Sequence, residues 1–258
     1  MAVELRITAP PPVVYAHRGA HGPDRPENSA AAVEHAIEIG VPGVEIDVCS
    51  LRDGTLVAAH DDWAPHDGRR VPLGELLLTD LCGISPGPLL HVDAALDLLR
   101  DTDTMLCLDW KGAGDVTLVG GLVRRHRLAA RTIVSSTDPA AVAALKDAHP
   151  GLAVGLSLES WAGAATEIAG AVAASGADAA MLHHRLGAPE AIAALRARGK
   201  AAFLWTARDR ETFESLWHRA PDGIMSDVVE ELDRPAAAVG PDPGAAAPEK
   251  SSGTAAAP

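Results

Sequence analysis

The chain has 258 residues, 47% of them hydrophobic, and a formal net charge of -13 at pH 7. That length and apolar content suffice for one well-cored α/β or barrel domain. The negative balance argues against binding nucleic acid or an anionic membrane surface through bulk electrostatics, so a phosphate-bearing substrate needs local cations.

The opening "MAVELRITAPPP" has neither a positively charged leader nor a continuous apolar stretch, and no later segment approaches bilayer-spanning length. Cys49, Cys82 and Cys107 show no metal-type spacing, and two of them lie in apolar strand-like runs where a thiol packs as a small hydrophobe. A cytoplasmic protein without stable membrane association is the expectation.

In chain order, "VVYA" (13–16) predicts a buried strand that delivers His17 and Arg18 at its carboxyl end, before Gly19 and a proline-containing turn. "SAAAVEHAIEIG" follows as a helix closed by Gly40, a suitable left-handed terminator. Further strands are expected at "GVEIDV" (43–48), "TMLCLDW" (104–110), "RTIVS" (131–135), "LAVGLS" (152–157), "DAAML" (178–182), "AAFLWT" (201–206) and "DGIMS" (222–226). Helical stretches follow nearly all of them; one, "DPAAVAALKDAH", has Asp138 as N-cap and Pro139 at its first position. Eight strands alternating with helices predict a (β/α)8 TIM barrel over residues 1–234. An open doubly wound sheet is the competitor, but "AHRGAHG" is not the glycine-rich phosphate loop such folds carry after their first strand.

Residues 61–88 carry no clear barrel strand and read as an insertion after the second strand, a loop or small cap of the kind that is often functional. From 235 to 258 the sequence turns alanine- and proline-rich, with too few large apolar groups to offset the entropy of ordering it, so a disordered tail is expected.

Within "GVEIDV", alternation puts Glu45 and Asp47 on one face, toward the barrel interior. On the next barrel strand Asp109 and Lys111 share a face, and Lys111 is one of only four lysines. Three buried carboxylates need relief, because an isolated ion in a low-dielectric interior costs on the order of tens of kcal/mol. Protonation, pairing with Arg18 and Lys111, or a divalent cation would each supply it. Three oxygen donors, Glu45, Asp47 and Asp109, suit Mg²⁺ or Ca²⁺ better than Zn²⁺. A short returning strand, "TLVAAH", would carry His60 to the same rim as His17. Glu27 and Asn28 offer a cap for the first helix, and their place at the exit of the His17 loop also sets them near the site as positioning residues; Trp205 closes the seventh strand, where an aromatic ring suits either core packing or the carbon atoms of a ligand. His183 and His184 end the sixth strand, with no role assigned.

The segments "AHRGAHGPDRPENS", "GVPGVEIDVCSLRDGTLVAAHD", the Asp109–Lys111 strand, "VSSTDP", "FLWTARD" and "DGIMSD" occur in the order seen in the glycerophosphodiester phosphodiesterase family, which this sequence closely resembles from about Val13 to Leu232. The resemblance implies a TIM barrel that hydrolyses a small-molecule glycerophosphodiester to sn-glycerol 3-phosphate and an alcohol with a divalent metal. It implies His17 and His60 as the acid/base pair, Arg18 and Lys111 as phosphate-facing cations, and Glu45, Asp47 and Asp109 as metal ligands. Asp109 stands where the family usually has glutamate, His21 where a small residue is more usual, and "HDDWAPHDGRRV" departs from the family's stretch. A lysophospholipase D, a phosphoinositide phospholipase C-like enzyme and a non-catalytic barrel that binds phosphorylated ligands are the alternatives.

Overall fold

The computed structural model describes residues 11–81, 89–112 and 114–232. The expected tail at 235–258 and the last part of the insertion, 82–88, lie outside them. The strands are β1 (Val13–Ala16), β2 (Gly43–Ser50), β3 (Leu56–Ala58), β4 (Trp63–His66), β5 (Arg69–Pro72), β6 (Met105–Trp110), β7 (Thr132–Ser136), β8 (Ala153–Leu158), β9 (Ala179–His183), β10 (Ala201–Ala207) and β11 (Gly223–Ser226). Every predicted barrel strand is present, displaced by a residue or two at its ends. β1, β2, β6, β7, β8, β9, β10 and β11 pair in that order, all parallel, and β11 returns to β1 through Ala16↔Ser226. The ring is closed, so this is a (β/α)8 barrel.

Helices α1 (Ala30–Glu38), α2 (Leu78–Leu81), α3 (Val92–Leu99), α4 (Thr117–Arg125), α5 (Pro139–Ala148), α6 (Ala165–Ala174), α7 (Pro189–Arg196) and α8 (Arg210–Trp217) complete the element order. All but α2, which belongs to the insertion, are crossovers between barrel strands. Asp138 caps α5 by accepting from the Ala140 N–H at 2.8 Å, with Pro139 at the first helical position. Gly40 stops α1 at φ 72°. The outer strand faces (Val14, Val44, Ile46, Leu106, Leu108) pack against helical residues such as Val33, Ala36 and Leu96 in one continuous core. After β11 the described chain makes only a short 3-10 turn, Val229–Glu231.

The barrel interior is filled below the site. Tyr15 and Phe203 meet edge to face with ring centroids 5.9 Å apart, among Val13, Met105, Ile133 and Ala153. Gly43 makes room for the first ring, since a Cβ there would stand 2.5 Å from a Tyr15 ring carbon. Gly43→Ala is therefore expected to cost about 1–3 kcal/mol in denaturant unfolding through overpacking. An unchanged midpoint would mean that the tyrosine ring can retreat.

β2 outruns β1. Its last residues, Val48 to Ser50, pair instead with antiparallel β3, which carries the chain back up to His60. The described part of the insertion, expected to lack barrel strands, is a β4–β5 hairpin followed by a 3-10 turn and the four-residue α2. A small apolar cluster of Leu51, Val57, Ala64, Leu73, Leu76 and Leu81 fastens it to the barrel.

Candidate active site

The eight barrel strands run the same way, so their carboxyl ends share one mouth, and inward side chains at matching register form rings. Asp47 is level with Asp109, and Asp109 with Ser135. A cavity of about 500 Å³ opens above that ring; His17, Arg18, Glu45, Asp47, His60, Asp109, Lys111 and Trp205 all line it. Every site residue expected from sequence thus borders one space.

Glu45 is 2% exposed. Among the described residues its one hydrogen bond comes from the backbone N–H of Arg18 at 2.9 Å, and His17 Nε2 stands 4.0 Å away. Burial, then the charges of Asp47 and Asp109, push its pKa well above the carboxylate range. Asp47 is equally buried but well partnered. Arg18 Nε lies 3.1 Å from its Oδ2 and Lys111 Nζ 3.3 Å from its Oδ1. Asn28 closes a double clasp, donating from Nδ2 to the carboxylate at 2.9 Å and accepting the Asp47 backbone N–H at 3.0 Å. Burial works to raise this carboxyl, but Lys111, Arg18 and Asn28 outweigh it and hold its pKa below the ordinary value. Asp109 pairs with Lys111 and accepts from Ser135 Oγ at 2.5 Å and Ser157 Oγ at 3.4 Å. Burial lowers the Lys111 pKa, while Asp109 and Asp47 more than offset this and raise it.

The loop after β1 brings these partners together. Arg18 adopts φ 57° and Asn28 φ 56°, and the Asn28 N–H donates to the Arg18 carbonyl at 2.9 Å. Gly19 (φ 80°) passes so near α1 that a Cβ would sit 2.7 Å from the Ala32 backbone. Arg18 reaches out to Glu27 at 2.8 Å. Ser29, not Asn28, caps α1, accepting from the Ala32 N–H at 3.2 Å. Of the two readings of Asn28, a helix cap and a positioning residue near the site, the cap falls to Ser29 and Asn28 grips Asp47 instead.

His17 and Asp227 are the first residues beyond β1 and β11. His17 Nδ1 meets Asp227 Oδ1 at 2.6 Å, and His21 Nε2 reaches the same oxygen at 3.4 Å. Burial raises the Asp227 pKa, but these hydrogen bonds prevail and hold the carboxyl well below its usual range. It is therefore ionised at neutral pH and fixes the Nδ1–H tautomer of His17, leaving Nε2 facing the cavity. Sequence reasoning left Asp227 without a role; the signal was its place directly after the last strand, which ring closure sets beside His17. His60 follows β3 at the same mouth and is 43% exposed, with Nδ1 2.9 Å from Asp61. Trp205 meets His183 edge to face at 5.2 Å, and its indole N–H is buried without a partner.

The residues fit a divalent cation. Ligand atoms of Glu45, Asp47 and Asp109 lie within 4.8 Å of one another. All are oxygens, and Glu45 is a buried acid with no cation of its own.

The model of the glycerophosphoryl diester phosphodiesterase family matches residues 17–75 and 107–231, a span that takes in each of these side chains. The chain belongs to that family. A glycerophosphodiester phosphodiesterase of Caldanaerobacter subterraneus subsp. tengcongensis is 27% identical over 85% of this chain and 96% of its own. Among solved structures, a glycerophosphodiester phosphodiesterase from Parabacteroides distasonis superposes with a TM-score of 0.73 at 23% identity, over 84% of this chain and 93% of that one. An Oleispira antarctica phosphodiesterase in complex with the product sn-glycerol-3-phosphate gives 0.74 at 21% identity, over 87% and 96%. At those identities the two structures speak for the shared barrel alone. Asp109 is propped by two serines, and His21 stands beside Asp227.

Proposed function

We propose that this protein is a metal-dependent phosphodiesterase that hydrolyses glycerophosphodiesters to sn-glycerol 3-phosphate and an alcohol, with His17 and His60 as its acid/base pair. The convergence of two histidines, two cations and three acids on one cavity carries this reading. Family membership gives the reaction class, and the product bound to the Oleispira antarctica relative is the one expected here.

Arg18 and Lys111 bind and orient the anionic phosphoryl oxygens. His17, held by Asp227 through Nδ1, presents Nε2 to the cavity and takes the proton from the attacking oxygen. His60 at the open rim gives a proton to the departing alkoxide. Glu45, Asp47 and Asp109 would hold Mg²⁺ or Ca²⁺, which would supply stabilisation for charge building on the phosphoryl oxygens. Trp205 borders the cavity, where its ring packs against the glycerol carbons.

Because Glu45 without an ion retains its proton to higher pH than an ordinary carboxylate, cation binding displaces that proton. Calorimetry in buffers of different ionisation enthalpy is expected to register proton release on ion binding; no release would mean that Glu45 is already ionised. The free thiols of Cys49 and Cys107 suit a reducing cytoplasm. Among the described residues no helix is long and apolar enough to cross a membrane.

Turnover of several glycerophosphodiesters with Mg²⁺, Ca²⁺ and Mn²⁺ tests the reading, and failure to cleave any of them with any ion overturns it. One observation favours a second reading. A cleft of about 390 Å³ shares His60 with the main cavity and is walled by Trp63, Ala64, Leu73, Leu81 and Leu89. It offers room for an apolar alcohol, as in a lysophospholipid. Faster turnover of lysophosphatidylcholine than of glycerophosphocholine selects that alternative.

A further inference from the structure

We propose that His17, His21 and Asp227 form a second cation site, selective for a Zn²⁺-like transition ion, whose filling ties up the His17 imidazole. The three residues come from the loops after β1 and β11, and one ligand atom from each lies within 4.8 Å of the others. Two imidazole nitrogens and a carboxylate are a donor set for zinc, whereas the neighbouring Glu45, Asp47 and Asp109 offer oxygen alone and suit Mg²⁺ or Ca²⁺. Tetrahedral coordination at Zn–N and Zn–O lengths sets ligand atoms about 3.3 Å apart. His21 Nε2 already stands 3.4 Å from Asp227 Oδ1, while His17 Nδ1, at 2.6 Å, must open slightly.

The loop holds His21 in place. Its N–H donates to the Gly19 carbonyl at 2.9 Å, and Gly22 and Arg25 bridge the turn beyond it. The side chains of His17, His21 and Asp227 are 12%, 28% and 21% exposed, which leaves access for the ion and a water as fourth ligand. The nearest opposing charge, Arg208, has Nε 3.9 Å from Asp227 Oδ2, but its side chain is 77% exposed and can turn into solvent. Coordination at His17 Nδ1 releases the proton now shared with Asp227. It also draws electron density from the ring, weakening Nε2 as a base.

The test uses the full chain with Mg²⁺ saturating the acidic site, and two variants, His21→Ala and His21→Gln, whose thermal melting establishes that they fold. Zn²⁺ affinity by calorimetry, and the visible absorption of Co²⁺ as a nitrogen-ligation signature, are expected to weaken at least about tenfold in both variants. Phosphodiesterase activity in Mg²⁺ alone stays within about twofold of the parent, while inhibition by added Zn²⁺ moves to at least about tenfold higher concentration. Unchanged Zn²⁺ affinity in both variants, or Zn²⁺ displaced one for one by Mg²⁺, overturns the proposal. The inhibition readout rests on the proposed phosphodiesterase reading. The binding readout does not, so a protein inactive on every diester that still bound Zn²⁺ through His21 would count against the activity alone.

Discussion

His17→Ala is expected to lower kcat by about 10²- to 10⁴-fold, the usual worth of a positioned acid or base. The proposed phosphate contacts of Arg18 and Lys111 are left in place, so KM is expected to change little by comparison. The fold tolerates the change, because His17 is a rim residue and the packed barrel interior lies below it. Asp227→Asn tests the same unit from behind. It keeps the shape but replaces the ionised acceptor at His17 Nδ1, and a loss of about 10- to 100-fold in kcat is expected. The two losses do not add: the double variant is no slower than His17→Ala, since Asp227 acts through the imidazole. Additive losses would give Asp227 a separate role.

Lys111→Met is expected to have the largest effect on stability, and one that depends on the metal. The ammonium group pairs with both Asp47 and Asp109. Removing it leaves two acids, beside a third, facing one another in a mostly closed space. Breaking a buried pair on one side costs about 3–5 kcal/mol, and about 2–4 kcal/mol is expected here because the lysine side chain is 26% exposed. In a chain of this size that lowers the Tm of the ion-free protein by roughly 4–16 °C. Saturating Mg²⁺ or Ca²⁺ restores much of the loss by supplying the missing positive charge. Differential scanning fluorimetry of the variant with and without ion reads this directly. An equal Tm deficit under both conditions would mean that the lysine neutralises the acids by itself and no ion joins them.

The barrel was largely legible because its strands are short apolar runs separated by capped, alanine-rich helices, and because alternation alone puts Glu45 and Asp47 on one face. The meeting of acids was also readable, since Asp47 and Asp109 occupy corresponding places on consecutive barrel strands. Asp227 was not. Its partnership with His17 spans 210 positions and exists only because β11 closes onto β1, which no local pattern records. Asn28 was legible only in part: its place at the exit of the His17 loop sets it near the site, but the left-handed backbone that turns its amide toward Asp47, and leaves the cap to Ser29, is set by the loop. The hairpin in the insertion was hidden because its strands pair with each other and bury little: Ala64 alone of their residues is buried.

Anomalous diffraction from crystals soaked in Mn²⁺ puts the account to its most direct trial. One strong peak is expected at the barrel mouth, bonded to oxygens of Glu45, Asp47 and Asp109 and lying between His17 and His60. Absence of any peak there, with Lys111 still lodged between Asp47 and Asp109 in a protein that cleaves diesters at full rate, would contradict it.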